Sequence, residues 1–196
     1  MISREIFIPK IMQTKIFLSR IETKIGSLVA GVTDDAVIFL EFQRGTRVQR
    51  KLEQLHENFT IELQIKKREL HEEIQFQVNE YFDGNRVEFD LPMRTVGTKF
   101  QNKVWELLMT VPAGQTVSYS DTAEFLGHYY SAEDVASAAN ANHIMLLVPC
   151  HRLVGKDGSL VGYSGGIDRK RWLLEHERKV SGYAGTEMEE ITSNVS

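Results

Sequence analysis

The chain has very little cysteine: Cys150 is the only one among 196 residues. A single thiol cannot form an internal disulfide or a zinc site of the CxxC type, so the composition favours a reducing compartment. The six histidines never take an HxH or HExxH spacing, and the glycine-rich stretch at 155–166 does not have the GxxxxGK[ST] order of a phosphate-binding loop. We therefore expect no metal and no cofactor.

Long hydrophobic runs are also missing. No stretch approaches the roughly 18 apolar residues that a membrane span needs, and the N-terminus has no long apolar region of the signal-peptide kind. We expect a cytoplasmic protein with no membrane partner. The formal net charge is −4, which argues against binding nucleic acid through bulk electrostatics, so any contact with DNA must be local.

The first half of the chain has the pattern of a small α/β domain. Three strand-like segments, "KIFLSR", "GSLVAGV" and "AVIFLEF", occupy 15–42 and predict a small antiparallel sheet. Apolar residues then recur at helical spacing and predict two amphipathic helices; they are Val48, Leu52, Leu55 and Phe59, followed by Leu70, Ile74, Val78, Tyr81 and Phe82. The aperiodic stretch 83–97 is interpreted as a connection, which gives an N-terminal α/β domain over 1–92.

The second half predicts helices with capped starts at Thr98, Ser118 and Ser131, and a last helix over about 168–178. The helices that begin near Ser118 and Ser131 are short and joined around a glycine, which makes them a helix-turn-helix candidate. We therefore predict a mostly helical C-terminal domain with a helix-turn-helix over 93–180. A flexible acidic tail, 181–196, is expected to follow.

The candidate reactive group is Cys150 in the segment "MLLVPCHRLVG", where it follows an apolar run that predicts a buried strand. A lone cysteine in a reduced protein is often an inert buried residue. Here Pro149 fixes the path of the chain, while His151 and Arg152 would favour a thiolate. His151 can act as a base through one bridging water if a carboxylate orients it, and the last helix offers Glu175 and Glu177. Spacing alone does not choose between these two.

With these residues in view, the chain from about Phe100 to Glu177 resembles the O6-alkylguanine-DNA alkyltransferases, also called methylated-DNA–protein-cysteine methyltransferases. The resemblance rests on "FQNKVWELL", "VPAGQTVSY", "LVPCHRLVG", "DGSLVGYSGG" and "RKRWLLEHE", which follow one another in order. The stretch 70–97, with "YFDG" and "FDLP", also looks like the segment that joins the two halves in this family.

The resemblance implies a repair function. Cys150 would take the alkyl group irreversibly, once per molecule, from O6-alkylguanine in DNA, with O4-alkylthymine as a further substrate. His151 would deprotonate the thiol through a water, and Glu177, rather than Glu175, would orient His151. Asn142 aligns with the residue that pins the turn beside the cysteine, and Tyr119 with the tyrosine that faces the flipped base.

Further roles follow from the same resemblance. Substrate binding is expected from Val148, Tyr163 and Ser164, and DNA contacts are expected from Tyr119, Ser120, Glu133, Ala136, Asn140 and Arg152. The expected partner is double-stranded DNA, entered from the minor groove with the alkylguanine flipped out, and the protein would act as a monomer. It would be associated with the nucleoid in a prokaryote or located in the nucleus in a eukaryote.

One position departs from the family pattern. An arginine that fills the gap left by the flipped base is replaced by Glu133, and Asp134 follows it. Carboxylates in a first helical turn complement the helix dipole, but they repel a DNA backbone. Two alternatives therefore stay open: an alkylation-damage recognition or regulatory protein that binds DNA or a partner with weak transferase activity, and a multiple-turnover thiol hydrolase that uses the same residues.

Overall fold

A computed structural model describes residues 14–56 and 61–182. Its first half contains a mixed four-stranded sheet. The strands are β1 (Thr14–Ile21), β2 (Leu28–Val32), β3 (Val37–Phe42) and β4 (Ile61–Ile65). Their order is β3-β2-β1-β4; β1, β2 and β3 pair antiparallel, and β4 pairs parallel to β1. The predicted antiparallel strands are confirmed, whereas the sheet as a whole is mixed because of β4.

The fourth strand was not predicted from the sequence. It lies at the sheet edge, and only Ile61 is buried while Ile65 is 95% exposed. An edge strand makes few contacts with the core, so its apolar residues give a weak signal. The alternation of Ile61, Leu63 and Ile65 with polar residues is the pattern that could have revealed it.

Six helices complete the described fold, and every helix expected from periodicity or capping is confirmed. They are α1 (Arg47–His56), α2 (Glu69–Asp83), α3 (Lys99–Thr110), α4 (Tyr119–Leu126), α5 (Ala132–Ala141) and α6 (Ile167–Ser181). The predicted N-caps are also confirmed: Thr98, Ser118 and Ser131 each accept a bond from the backbone N–H three residues later. Phe59, expected in the first helix, and most of the expected acidic tail lie outside the described residues.

The two halves pack on each other through β3 and the segment that precedes Cys150. The backbone N–H of Leu40 donates to the carbonyl of His143 at 2.7 Å, and the N–H of Met145 donates to the carbonyl of Leu40 at 2.7 Å. One cluster of buried apolar side chains runs through both halves. The division at residue 92 therefore stays a prediction, and the sheet supports the segment that carries the thiol.

A short parallel pair, β5 (Val117–Ser118) with β6 (Leu153–Val154), ties the start of α4 to the chain just after the cysteine. Because α4 begins at Tyr119, this pairing fixes Tyr119 relative to Cys150. None of the described helices combines the length and the apolar character needed to cross a bilayer. Over the same part of the chain, no three His, Cys, Asp or Glu side chains converge as a metal site would require.

Candidate active site

Asn142 pins the turn that leads to the thiol. Its Nδ2 donates to the carbonyl of Val148 at 3.1 Å and to Cys150 Sγ at 3.3 Å, while its Oδ1 accepts from the N–H of Ile144 at 2.8 Å. The amide is buried, so these bonds satisfy it without solvent. One side chain therefore joins both ends of the turn and contacts the sulfur directly, in the position the family resemblance implied.

The segment before the cysteine is a tight turn and not the buried strand that its apolar run predicted. Leu146 takes a φ of 71°, the only described residue other than glycine with a positive φ. A left-handed leucine costs about 1–2 kcal/mol and persists only where its surroundings enforce it. Here the N–H of Val148 bonds the carbonyl of Ile144 at 3.0 Å across the turn. Cys150 then opens a 3₁₀ turn that runs to Arg152.

Cys150 lies on the wall of a cavity. Its side chain is buried, with 3% of the residue exposed. The cavity has a volume of about 270 Å³, and its lining residues come from α4, α5, the 3₁₀ turn and the glycine-rich loop; they are Tyr119, Ala136, Ala139, Asn140, Cys150, Gly162, Tyr163 and Ser164. The thiol is therefore largely shielded from bulk solvent but faces a cavity that a small group could enter.

His151 and Glu177 form a buried pair behind the thiol. Nε2 of His151 lies 2.8 Å from Oε1 of Glu177, and both side chains are 1% exposed. Burial lowers the pKa of His151 more than the neighbouring carboxylate raises it, so the imidazole is neutral at pH 7. A neutral ring next to an ionised carboxylate carries its proton on Nε2. Nδ1 is then a free lone pair, and it has no hydrogen-bond partner in the described part of the chain.

Glu177 is held ionised by more donors than the imidazole alone. Arg152 donates from Nε to Oε2 at 2.9 Å and from Nη2 to Oε1 at 2.8 Å; the hydroxyl of Tyr81 donates to Oε1 at 2.9 Å and the N–H of Gly114 to Oε2 at 3.1 Å. Burial opposes ionisation, but His151 and Arg152 together hold the pKa of this carboxyl well below its usual range. Its lone pairs are filled by donors, which fixes its orientation.

This arrangement changes the interpretation of Arg152, which was expected to contact DNA and to favour the thiolate. Its guanidinium is buried against Glu177, and Nη1 donates to the carbonyl of Val111. We therefore leave Arg152 out of the DNA contacts. Because the charges of Arg152 and Glu177 offset each other and His151 is neutral, the positive charge that favours a thiolate must come from elsewhere.

The thiol itself is affected by groups on several elements. Burial raises the pKa of Cys150, the hydrogen bond from Asn142 lowers it, the charge of Glu41 raises it, and the charges of Lys51 and Lys170 lower it. Lys170 is fully buried in α6, and its Nζ donates to the carbonyl of Val161 at 2.6 Å. Neither lysine was predicted, because each acts across the fold on a thiol that is distant in sequence.

Tyr119 also lines the cavity, at the start of α4. Its hydroxyl donates to the carbonyl of Gly162 at 2.8 Å, and the ammonium of Lys170 lies 5.6 Å from its ring centroid. Burial raises the pKa of Tyr119 to about 12, so it is a neutral phenol that can donate a proton. The structure thus brings Tyr119 and Cys150 onto one cavity, as expected, together with the predicted wall residues Tyr163 and Ser164.

The remaining expected contacts divide into two groups. Ala136 and Asn140 line the cavity from α5, while Glu133 is exposed on the first turn of that helix. Ser120 is half-buried and does not line the cavity. Val148 does not line it either: its carbonyl already accepts from Asn142 Nδ2 and from the N–H of Cys150, at 2.8 Å for the latter. Its expected contact with a purine amino group stays a prediction.

Sequence reasoning also missed cavity residues and supporting residues. Ala139 and Gly162 carry no reactive group, so nothing in their chemistry singled them out. Ala139 and Asn140 follow Ala136 by three and four residues, which places all three near one side of α5 and could have identified Ala139. Tyr81 was predicted as a core position of a helix and is one; its hydroxyl bond to Glu177 depends on packing between the two halves.

Comparison with known proteins gives a consistent result. Residues 99–179 match the family described as 6-O-methylguanine DNA methyltransferase, DNA binding domain. The methylated-DNA–protein-cysteine methyltransferase of Shigella flexneri is 47% identical over 102 residues, which are 52% of this chain and 60% of that protein. The matched segment thus spans about three fifths of that curated relative.

Solved structures extend the likeness to both halves. The O6-methylguanine methyltransferase of Mycobacterium tuberculosis is 33% identical, with a TM-score of 0.68 over 84% of this chain and 93% of that one. The Mycobacterium tuberculosis OGT protein in complex with DNA is 32% identical, with a TM-score of 0.70 over 85% of this chain and 94% of that one. Together with the geometry around Cys150, these likenesses show that the chain belongs to the O6-methylguanine-DNA methyltransferase family.

Proposed function

We propose that this protein repairs DNA by transferring the alkyl group of O6-alkylguanine, and of O4-alkylthymine, irreversibly to Cys150. One observation carries the proposal. The only cysteine of the chain lies on a cavity wall, accepts a hydrogen bond from Asn142, and lies next to the neutral imidazole of His151, which is paired with Glu177. The names of the curated relatives, methylated-DNA–protein-cysteine methyltransferases, support the same reaction.

The first step is removal of the thiol proton. Nδ1 of His151 is the basic atom without a partner, and no direct bond joins it to Sγ among the described contacts. A water between the two would carry the proton from sulfur to Nδ1. Glu177 then stabilises the imidazolium, because it already accepts the Nε2 proton and stays ionised.

The second step is an in-line displacement at carbon. The thiolate forms an S–C bond as the bond between the alkyl carbon and O6 breaks, and the electron pair stays on the purine. Tyr119 gives its proton to the departing purine, which requires its hydroxyl to turn from the carbonyl of Gly162. The proton that Tyr119 loses is replaced by the one taken from the thiol, so charge and protons balance.

The product dictates a single turnover. A thioether has no carbonyl for water to attack, and the sequence contains no second thiol that could accept the group. A hydrolase using the same residues would pass through a thioester and return its cysteine. The number of turnovers therefore separates the two reactions.

DNA would reach the site along α5. A base in a duplex must leave the stack before it can enter the cavity, and α5 presents Ala136 and Asn140 to that cavity. A family member has been solved in complex with DNA. We infer that a single protein molecule approaches the duplex from the minor groove, with α4 and α5 as the helix-turn-helix. Ser120 and Tyr119 would then lie near the strand that carries the flipped base. Because the curated relatives are bacterial proteins, we expect the protein to act on the nucleoid.

The test is a mass measurement on the intact chain after incubation with an oligonucleotide that contains O6-methylguanine. We expect one methyl group per molecule, on the peptide that contains Cys150, and no further lesion loss once every thiol is modified. The Cys150→Ser variant should bind the oligonucleotide and leave the lesion intact. Complete lesion loss with unmodified Cys150 would reject the mechanism, and continued turnover would favour the hydrolase.

A further inference from the structure

Lys51 is a buried lysine that connects the N-terminal sheet region to the cavity wall. It lies in α1 and is 6% exposed. Its Nζ donates to the carbonyl of Asn140 at 2.5 Å, in the last turn of α5. Carbonyls at the C-terminal end of a helix carry partial negative charge, so an ammonium there is stabilised. Because Asn140 lines the cavity, Lys51 holds part of the cavity wall in place.

Lys51 lies among titratable groups from several parts of the fold. Glu41 in β3 is fully buried, and its Oε1 lies 3.1 Å from Nε of Arg47 in α1. His143, just after α5, is also buried, and its pKa is lowered to about 3 by burial and by the charges of Lys51 and Arg47. Burial and Arg47 lower the pKa of Lys51 to about 8, and Glu41 and Cys150 raise it. Burial raises the pKa of Glu41, while Arg47 and Lys51 lower it. The cluster therefore places two cations, Arg47 and Lys51, beside one carboxyl group and a neutral imidazole.

We propose that Lys51 is a positioning residue for the acceptor thiol: it anchors the end of α5 at the cavity wall and supplies a buried positive charge that favours the thiolate form of Cys150. The functional role of Lys51 rests on the proposed transfer reaction. The effect of its charge on the Cys150 thiol does not depend on the substrate. Two lysines lower the pKa of the thiol through their charge: Lys51 from α1 and Lys170 from α6.

The sign of the effect follows from the surroundings of the thiol. Cys150 is buried, which raises its pKa, while Lys51 and Lys170 lower it and Glu41 raises it. The positive charge of Arg152 is already matched by Glu177. Removing Lys51 should therefore make the thiolate rarer at neutral pH, whereas removing the charge of Glu41 should make it more common. A side chain that only supported the fold would not produce opposite shifts.

The experiment measures the pH dependence of alkylation by iodoacetamide, which reports on Cys150 alone because the chain has one cysteine. The charge of Lys51 is present at pH 7 but is lost above its pKa of about 8, whereas burial raises the pKa of Cys150, so the effect is measured at pH 7. We expect Lys51→Met to slow alkylation at pH 7 about tenfold and to leave the rate above about pH 9 almost unchanged. Arg50→Met is the matched control: it removes the same charge from an exposed neighbour on α1 and should leave the rate at pH 7 almost unchanged. The ultraviolet absorbance of the thiolate gives a second measurement without a reagent.

Glu41→Gln completes the test, with an expected downward shift of the midpoint. It also decides the matter if Lys51→Met does not fold, as judged by circular dichroism. A folded Lys51→Met that is alkylated at pH 7 as fast as the wild type, or a Glu41→Gln midpoint that moves upward, would overturn the proposal. Failure of the wild-type protein to take a methyl group from DNA would instead refute the proposed function and leave these profiles unaffected.

Discussion

Replacing Glu177 with Gln would test the central assumption about the site, namely that one ionised carboxylate orients His151 and neutralises Arg152. The substitution keeps the shape of the side chain but leaves the guanidinium of Arg152, which is 8% exposed, without a counter-charge. Breaking a buried ion pair on one side costs about 3–5 kcal/mol. For a chain of this length each kcal/mol lowers the melting temperature by roughly 2–4 °C, so a fall of about 6–20 °C is expected.

A double-mutant cycle separates this electrostatic cost from a packing defect. Arg152→Met removes the other charge, and the double variant holds no buried charge from this pair. We expect the free energies of unfolding, measured in urea at pH 7, to be non-additive by about 1–3 kcal/mol. The double variant should regain stability but not alkyl transfer, because His151 still faces an amide. Additive effects, or a loss below about 1 kcal/mol for Glu177→Gln, would refute the assignment.

The same variant has a pH signature with a defined sign. The pKa of Glu177 in the folded protein lies below its ordinary value of about 4.3. Its stabilisation is therefore fully present above that value and is lost as pH falls through the lower, folded pKa. The difference in stability between wild type and Glu177→Gln should shrink in acid. A difference that is constant from neutral pH to acid would mean that the carboxyl is not held ionised by its partners.

Two further predictions concern other parts of the molecule. Glu133 is exposed on the first turn of α5, where its charge would repel a DNA backbone. Glu133→Arg should therefore speed transfer from duplex DNA more than transfer from free O6-benzylguanine, because only the duplex brings phosphates near it. Equal effects on both substrates would show that Glu133 does not hinder duplex binding. His143 has a folded pKa of about 3 against about 6.5 when unfolded, so it costs stability as pH falls below 6.5, by about 2 kcal/mol at pH 5. His143→Leu should lose less stability than wild type between pH 7 and pH 5 in urea unfolding, and equal losses would contradict the burial of a neutral imidazole.

Much of the fold could be predicted because the signals are local. Thr98, Ser118 and Ser131 predict helix starts because each side chain accepts a hydrogen bond from the backbone N–H three residues later. The turn before Cys150 could not be predicted in this way: the run "IMLLV" has the composition of a strand, but Asn142 and the left-handed Leu146 bend it. What decides the local path there is one amide that bonds across six residues, and periodicity does not detect such a bond.

The site shows the same division between local and distant signals. Cys150 and His151 stand out because they are adjacent, and Glu177 was chosen over Glu175 only through the family resemblance. In the structure Glu177 is buried against His151, whereas Glu175 is exposed. Arg152 was assigned to DNA through the family resemblance, but its partner Glu177 lies 25 residues away in the sequence. Lys51 and Lys170 reach the thiol only through the tertiary fold, so no spacing rule could identify them.

The N-terminal half of the chain also contributes contacts to the site. Three groups of the first half reach the site from different elements: the backbone of Leu40 bonds the turn before the thiol, Tyr81 bonds Glu177, and Lys51 bonds the carbonyl of Asn140. All three replace solvent with a fixed donor or acceptor at a buried position, where an unpaired polar group is costly. The residues of the proposed reaction all lie between 119 and 177, yet their orientation and charge depend on a sheet and two helices that contribute none of them. In the proposed mechanism, the N-terminal half therefore supports the buried thiol.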